Sequence, residues 1–175
     1  TLNVIGSKDD PIDSIAEQID QTVKDNWISK GIPSLLKTKT KKTVAGVIKS
    51  LNNLVLELNK KNHGLILIVD EMGKFLDYAS SVGSDLNLFQ EIAENFSNNR
   101  LNKEGEPVFI GILHQPFEEY ASSLGRTVQE DWQKIQGRFE DIPFSINSEE
   151  TAHLIAKAIK QKKTGPEFIK LANSI

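Results

Sequence analysis

Leu65-Ile-Leu-Ile-Val-Asp-Glu71 decides how this chain folds. Five apolar residues in a row, three of them β-branched, are too few for a helix and show no polar alternation. The pattern predicts a strand buried on both faces of a parallel sheet. The run closes on two adjacent carboxylates, and ligands of open α/β sheets gather at the carboxyl ends of strands. A second run of the same kind, Val108-Phe-Ile-Gly-Ile-Leu113, follows Pro107 and also ends in polar residues, His114-Gln115.

Outward from these two strands the periodicity turns helical. Leu2 to Ile5 reads as a first strand, Gly6 to Asp10 as a turn, and Pro11 suits the first position of a helix. Ile12, Ile15, Ile19, Val23 and Trp27 then share one face through about Ile28, and Gly31 and Pro33 end the helix. Val47, Leu51, Leu54, Val55 and Leu58 mark a second helix from Val44 to Leu58. Between them Lys37 to Lys42 is a basic run, read as a solvated linker or a phosphate-contacting patch.

Met72 to Ala79 predicts a short helix and Ser80 to Ser84 a loop. Asp85 is a candidate N-cap for a helix from Leu86 to Asn98. Further helices are expected at Pro116 to Ser122, Arg126 to Gln136, Ser148 to Gln161 and Pro166 to Asn173. Arg138 to Ile146 is expected as a bent strand, with Pro143 at its edge or end. Strands separated by helices indicate a layered α/β sheet.

The 175 residues suit one packed domain with the start of another. The formal net charge of −3 gives the whole chain no strong pull toward nucleic acid or an anionic surface. The absence of cysteine excludes a disulfide framework and thiolate metal sites. No apolar run is long enough to span a bilayer, and the N-terminus shows no basic segment followed by an apolar one. A cytoplasmic protein without membrane partners is expected. The opening on Thr1 suggests a piece of a longer polypeptide.

The carboxylates carry the chemistry. Asp70 could orient Mg²⁺ through water while Glu71 polarises an attacking water. Equally, Asp70 could cap the following helix and Glu71 favour its positive end. If the two buried strands are neighbours, His114 or Gln115 comes close to that pair, as a sensor of phosphate or as a capping residue. His63, His114 and His153 lack metal-ligand spacing, and no set of carboxylates and histidines suggests a metal-assisted hydrolase or nuclease.

Apolar strand-Asp-Glu, then apolar strand-polar residue, then Gly137-Arg138-Phe139 followed by Glu140-Asp141: this order resembles the core of P-loop ATPases of the AAA+ and STAND type. The resemblance covers about Leu65 to Ile146. It matches Asp70-Glu71 to the Walker B pair, with Asp70 at Mg²⁺ and Glu71 catalytic. His114 falls at the sensor-one position, and Arg138 at an arginine that reaches ATP on a neighbouring subunit. Arg100 and Arg126 compete for that last role, and an ion pair of Arg138 with Glu140 or Asp141 is the structural alternative.

ATP and Mg²⁺ are the cofactors so implied, and a homo-oligomer or other domains of the parent the partners. The implied fold is a mainly parallel, three-layer sheet lacking its first strand and P-loop. Residues 1–147 form that partial core with a helical insertion at 11–62, and residues 148–175 begin a helical lid. No Gly-x-x-x-x-Gly-Lys-Ser/Thr occurs in the chain. Gly46-Val-Ile-Lys-Ser50 only imitates it, within a helical pattern. In the family order 5-1-4-3-2 the missing strand would lie between those near Val108 and Ile142. The fragment is therefore expected to bind ATP negligibly, and to self-associate or to pair those two strands directly. The rival expectation is a noncatalytic domain on a degenerate ATPase scaffold that binds protein or nucleic acid.

Overall fold

The computed structural model describes residues 1–27, 39–82, 87–99, 105–116, 119–120, 126–143 and 148–158. The chain divides into two compact units, Thr1–Glu140 and Asp141–Ile175. The first holds three parallel strands, β1 (Leu2–Ile5), β2 (Ile66–Asp70) and β3 (Val108–Gly111), in the order β1-β2-β3. Leu2 pairs with Leu67 and Val4 with Val69, while Ile66 pairs with Val108 and Ile68 with Ile110. Ile112 extends the β3 ladder by donating its N–H to the Val69 carbonyl at 2.9 Å. The architecture is α/β, with helices on the sheet.

Between β1 and β2 run α1 (Pro11–Thr22), continued by a π-helical turn at Val23–Trp27, and α2 (Val44–Asn59). Asp10 starts α1 by accepting the Ile12 N–H at 2.7 Å, with proline at the first helical position as the sequence predicts. The two helices are not an appended surface. Ile15, Ile19, Val23, Val47, Leu51, Leu54, Val55 and Leu58 are buried with Leu2, Val4, Leu67 and Val69 in one core. The insertion is therefore a structural layer on the sheet.

In the segment before α2 Lys39, Lys41 and Lys42 are exposed, as a solvated run requires, while Thr40 between them departs from that expectation. Thr40 is buried: its N–H and its hydroxyl both donate to the Asp20 carboxylate, at 3.0 and 2.7 Å. Lys42 donates to Asp13 and Glu17, and those carboxylates raise the pKa of its ammonium above the ordinary lysine value. The ion pairs lie at the surface, where all three side chains are exposed. Lys37 and Thr38 lie outside the described residues.

Helix α3 (Met72–Val82) continues through Ser80–Val82, where a loop was expected, and Gly83 and Ser84 lie outside the described residues. α4 (Asn87–Asn99) buries Leu88, Phe89, Ile92 and Phe96, and its expected cap Asp85 lies outside the described residues. α5 (Arg126–Gln136) follows, and α6 (Ser148–Ala158) belongs to the second unit. Only Glu119 and Tyr120 of the helix expected at Pro116–Ser122 are described, and both are helical. The helix expected at Pro166–Asn173 lies outside the described residues.

Two sheet expectations fail. Arg138 to Pro143 forms no strand, and Phe144 to Ile146 lie outside the described residues. Turn hydrogen bonds from Arg138 N–H to Ile135 and from Phe139 N–H to Gln136 carry the chain off the end of α5. Phe139 then packs edge-on against Phe109, ring centroids 5.0 Å apart, while Ile142 is exposed. The aromatic anchor, not a ladder, explains the apolar spacing there, and β3 gains no partner from that segment.

Second, β2 is buried on one face only. Ile5 (72% exposed), Ile66 (40%), Val108 (40%), Ile110 (43%) and Ile112 (42%) share the opposite face by register, which stands open among the described residues. The described part of this unit is thus two layers, where a third was expected.

Candidate functional site

All three strands end at the same edge, and their last residues converge. β1 runs into Gly6, whose N–H donates to the Asp70 carbonyl at 2.7 Å. A Cβ on Gly6 would stand 2.2 Å from the Glu71 carbonyl oxygen, so only glycine fits this close approach. From the other side Ile112, at the end of β3, accepts the Met72 N–H at 3.0 Å. The turn between β2 and α3 is gripped by both neighbours.

Glu71 occupies that turn with φ of +53°, a left-handed conformation that costs a side-chain-bearing residue and is rare outside Gly, Asn and Asp. Backbone strain of this kind clusters at functional sites. Asp70 supports the turn: its Oδ1 accepts the Glu71 N–H at 2.8 Å, which is the local capping role open to it from sequence. The Asp70 side chain is exposed at the sheet edge.

The Glu71 carboxylate is held by two cations or donors. Lys74, one turn along α3, donates to Oε2. His114, three residues beyond β3, brings Nε2 to 3.4 Å from Oε1. The lysine first, and the imidazole second, hold the Glu71 carboxyl below the ordinary glutamate range. Glu71 is therefore ionised at neutral pH, oriented, and open enough to meet solvent.

Asp70, Glu71 and His114 are thus brought together at one end of the parallel sheet. Arg138 is not part of the group: its guanidinium pairs with Glu94 of α4, rather than with Glu140 or Asp141 as the sequence suggested. Arg100 and the Arg126 side chain lie outside the described residues. Lys74 and Gly6 were missed from sequence. A lysine three residues after a glutamate at a helix start is the signal for the first, and a glycine directly after a strand for the second.

Among the described residues, no group of three His, Cys, Asp or Glu side chains could hold a metal ion. Asp70 supplies one hard oxygen group, while Glu71 is committed to Lys74. That set does not fit a stand-alone metal centre. It fits Mg²⁺ that brings its own waters and phosphates, since this ion is usually held through only one or two carboxylates. No described helix is long and apolar enough to cross a membrane. No family model, no curated protein and no solved structure matches the chain.

Proposed function

We propose that this chain carries the Mg²⁺- and water-positioning part of a nucleotide-hydrolysing P-loop ATPase of the AAA+ or STAND type, working in the cytoplasm as a switch or motor. The observation that carries it is the Glu71 carboxylate. A strained left-handed backbone holds it at the carboxyl end of β2, beside Asp70, with Lys74 and His114 fixing its two oxygens. The strand order β1-β2-β3 agrees with strands 2, 3 and 4 of that architecture, though any consecutively wound sheet shares it.

Bound with the phosphates, Mg²⁺ would offset the charge that develops on the transferred group. Asp70 would hold it through water. Glu71, kept ionised by Lys74, would orient a water by accepting its hydrogen bond. A carboxylate of lowered pKa is a weak base, so it suits positioning better than full proton removal. His114 would report on the phosphate through its contact with Glu71. Arg138 could lend charge to a nucleotide on a neighbouring copy only by leaving Glu94, and an exposed ion pair of that kind is weak.

Such an activity requires a phosphate-binding loop that these 175 residues do not contain. The chain alone should therefore show no tight binding of ATP with Mg²⁺ by calorimetry. A longer natural polypeptide that includes it should bind, and lose Mg²⁺-dependent affinity on Asp70→Ala. Tight binding by the 175-residue chain, or none by a longer polypeptide with a complete phosphate loop, would overturn the proposal.

A second function, a noncatalytic interaction domain, is favoured by one observation: the apolar sheet face carrying Ile66, Val108, Ile110 and Ile112 has no cover among the described residues. Under it, Asp70→Ala and Glu71→Gln would leave every nucleotide property unchanged.

A further inference from the structure

Three consecutive residues at the start of α3 are each touched by the chain that leaves β3. Glu71 meets His114, the Met72 N–H donates to Ile112, and Gly73 meets Tyr120. The last of these is a tight fit. A Cβ on Gly73 would overlap the phenol of Tyr120, and outside α3 the three heavy atoms nearest to that position are its Cζ, Oη and Cε1. Tyr120 is itself half-buried against the hydrophobic core. Glycine is a poor helix former, yet only glycine leaves room for this ring in the first turn of α3.

His114 needs such a fixture. Its side chain is exposed, and a contact of 3.4 Å with Glu71 is too long and too wet to hold an imidazole in one rotamer by itself. The place of the imidazole is therefore set by the backbone that carries it. Before His114 that backbone is fixed by the hydrogen bonds of Ile112 with Val69 and Met72. After it, the Glu119 N–H donates to the Pro116 carbonyl at 3.0 Å and closes a turn that leads into Tyr120.

We propose that Tyr120, seated on Gly73, is a positioning residue: it fixes the segment that carries His114 and so keeps the imidazole on the Glu71 carboxylate. Its use in catalysis rests on the reading of Glu71 as the water-orienting group. A methyl group at position 73 would lift the ring and release His114. Lys74 would keep its own hold on Glu71, because both belong to the start of α3.

Nuclear magnetic resonance of the 175-residue chain reads this arrangement without nucleotide. Cross-relaxation between the His114 ring protons and the Glu71 methylenes should be present in the unmodified chain and vanish in Gly73→Ala and in Tyr120→Ala. Cross-relaxation between Lys74 and Glu71 should persist in both. Gly137→Ala, where a Cβ meets only ordinary contacts, should leave both signals intact. In a longer polypeptide with a phosphate-binding loop, Tyr120→Ala and His114→Ala should each lower kcat roughly ten- to a hundredfold with KM little changed. The double variant should lose no more than either single one, as for two residues that act through one contact.

A His114 signal absent from the unmodified chain, or surviving in Gly73→Ala, would overturn the proposal. So would joint loss of the His114 and Lys74 signals, the mark of a merely structural residue, or additive losses of kcat in the double variant. Turnover indifferent to Glu71→Gln would instead defeat the proposed function and leave the resonance result standing.

Discussion

Leu67 and Ile66 are neighbours in one strand and live in opposite surroundings. Leu67 is sealed beneath helices with Leu2, Val4 and Val69, whereas Ile66 shares a face with Ile110 and Ile112 that no described element covers. Alternation along a strand normally announces such a difference through polar residues on the wet side. Here both sides are apolar. Parallel sheets carry that composition when both faces are covered, so among the described residues the open face has the composition of a covered one, while the closed face is a finished core.

The largest expected effect separates the two faces directly. Leu67→Ala should cost about 2–5 kcal/mol in urea unfolding, the range for emptying a closed core site. Ile66→Ala should cost well under half of that in the monomer, because its side chain already meets water. Equal losses would mean that both faces are covered.

The closed side depends on the segment that ties α1 to α2. Asp20→Ala would leave the buried Thr40 N–H without its acceptor and its hydroxyl with Ser50 alone, at a cost of about 1–3 kcal/mol. Thermal unfolding would show it. An unchanged midpoint would mean that the tie contributes nothing to the covered layer.

At the sheet end the expected effects become smaller and change sign. Glu71→Gly removes a left-handed backbone cost but also the contacts with Lys74 and His114. The melting temperature should hold or rise by a few degrees, as for a residue kept for function at some expense of stability. A clear drop would make Glu71 a structural residue.

The pH dependence is smaller still. The Glu71 pKa is lowered in the folded chain, so its contribution is complete above the unfolded value near 4.5 and fades as pH falls through the folded value. The Lys42 pKa is raised, so its contribution is complete below 10.5 and fades as pH rises through the folded value. Melting scans should show Glu71→Gln flattening only the acid limb and Lys42→Met only the alkaline limb.

Much of this was legible in the primary structure because it rests on local pattern. Short apolar runs announced β2 and β3, their polar ends announced the positions of Asp70, Glu71 and His114, and three-to-four spacing announced α1 and α2. What escaped rests on contacts between distant residues. Thr40 looked solvated because nothing local shows that Asp20, a helix away, accepts from it. Arg138 looked free to pair with Glu140 or Asp141 because its partner Glu94 lies on α4. The segment after α5 looked like a strand because an aromatic anchor and a strand share the same apolar spacing. The left-handed turn at Glu71 left no trace, since a glycine or asparagine there would have signalled it and a glutamate does not.

Turnover by a longer natural polypeptide that contains this chain and a phosphate-binding loop tests the central claim most directly. Glu71→Gln should cut the hydrolysis rate by about a hundredfold or more, the scale of a positioned catalytic group, while ATP affinity stays within a few fold. Unchanged turnover in the Glu71→Gln protein would contradict the account, whatever the stability of the fold.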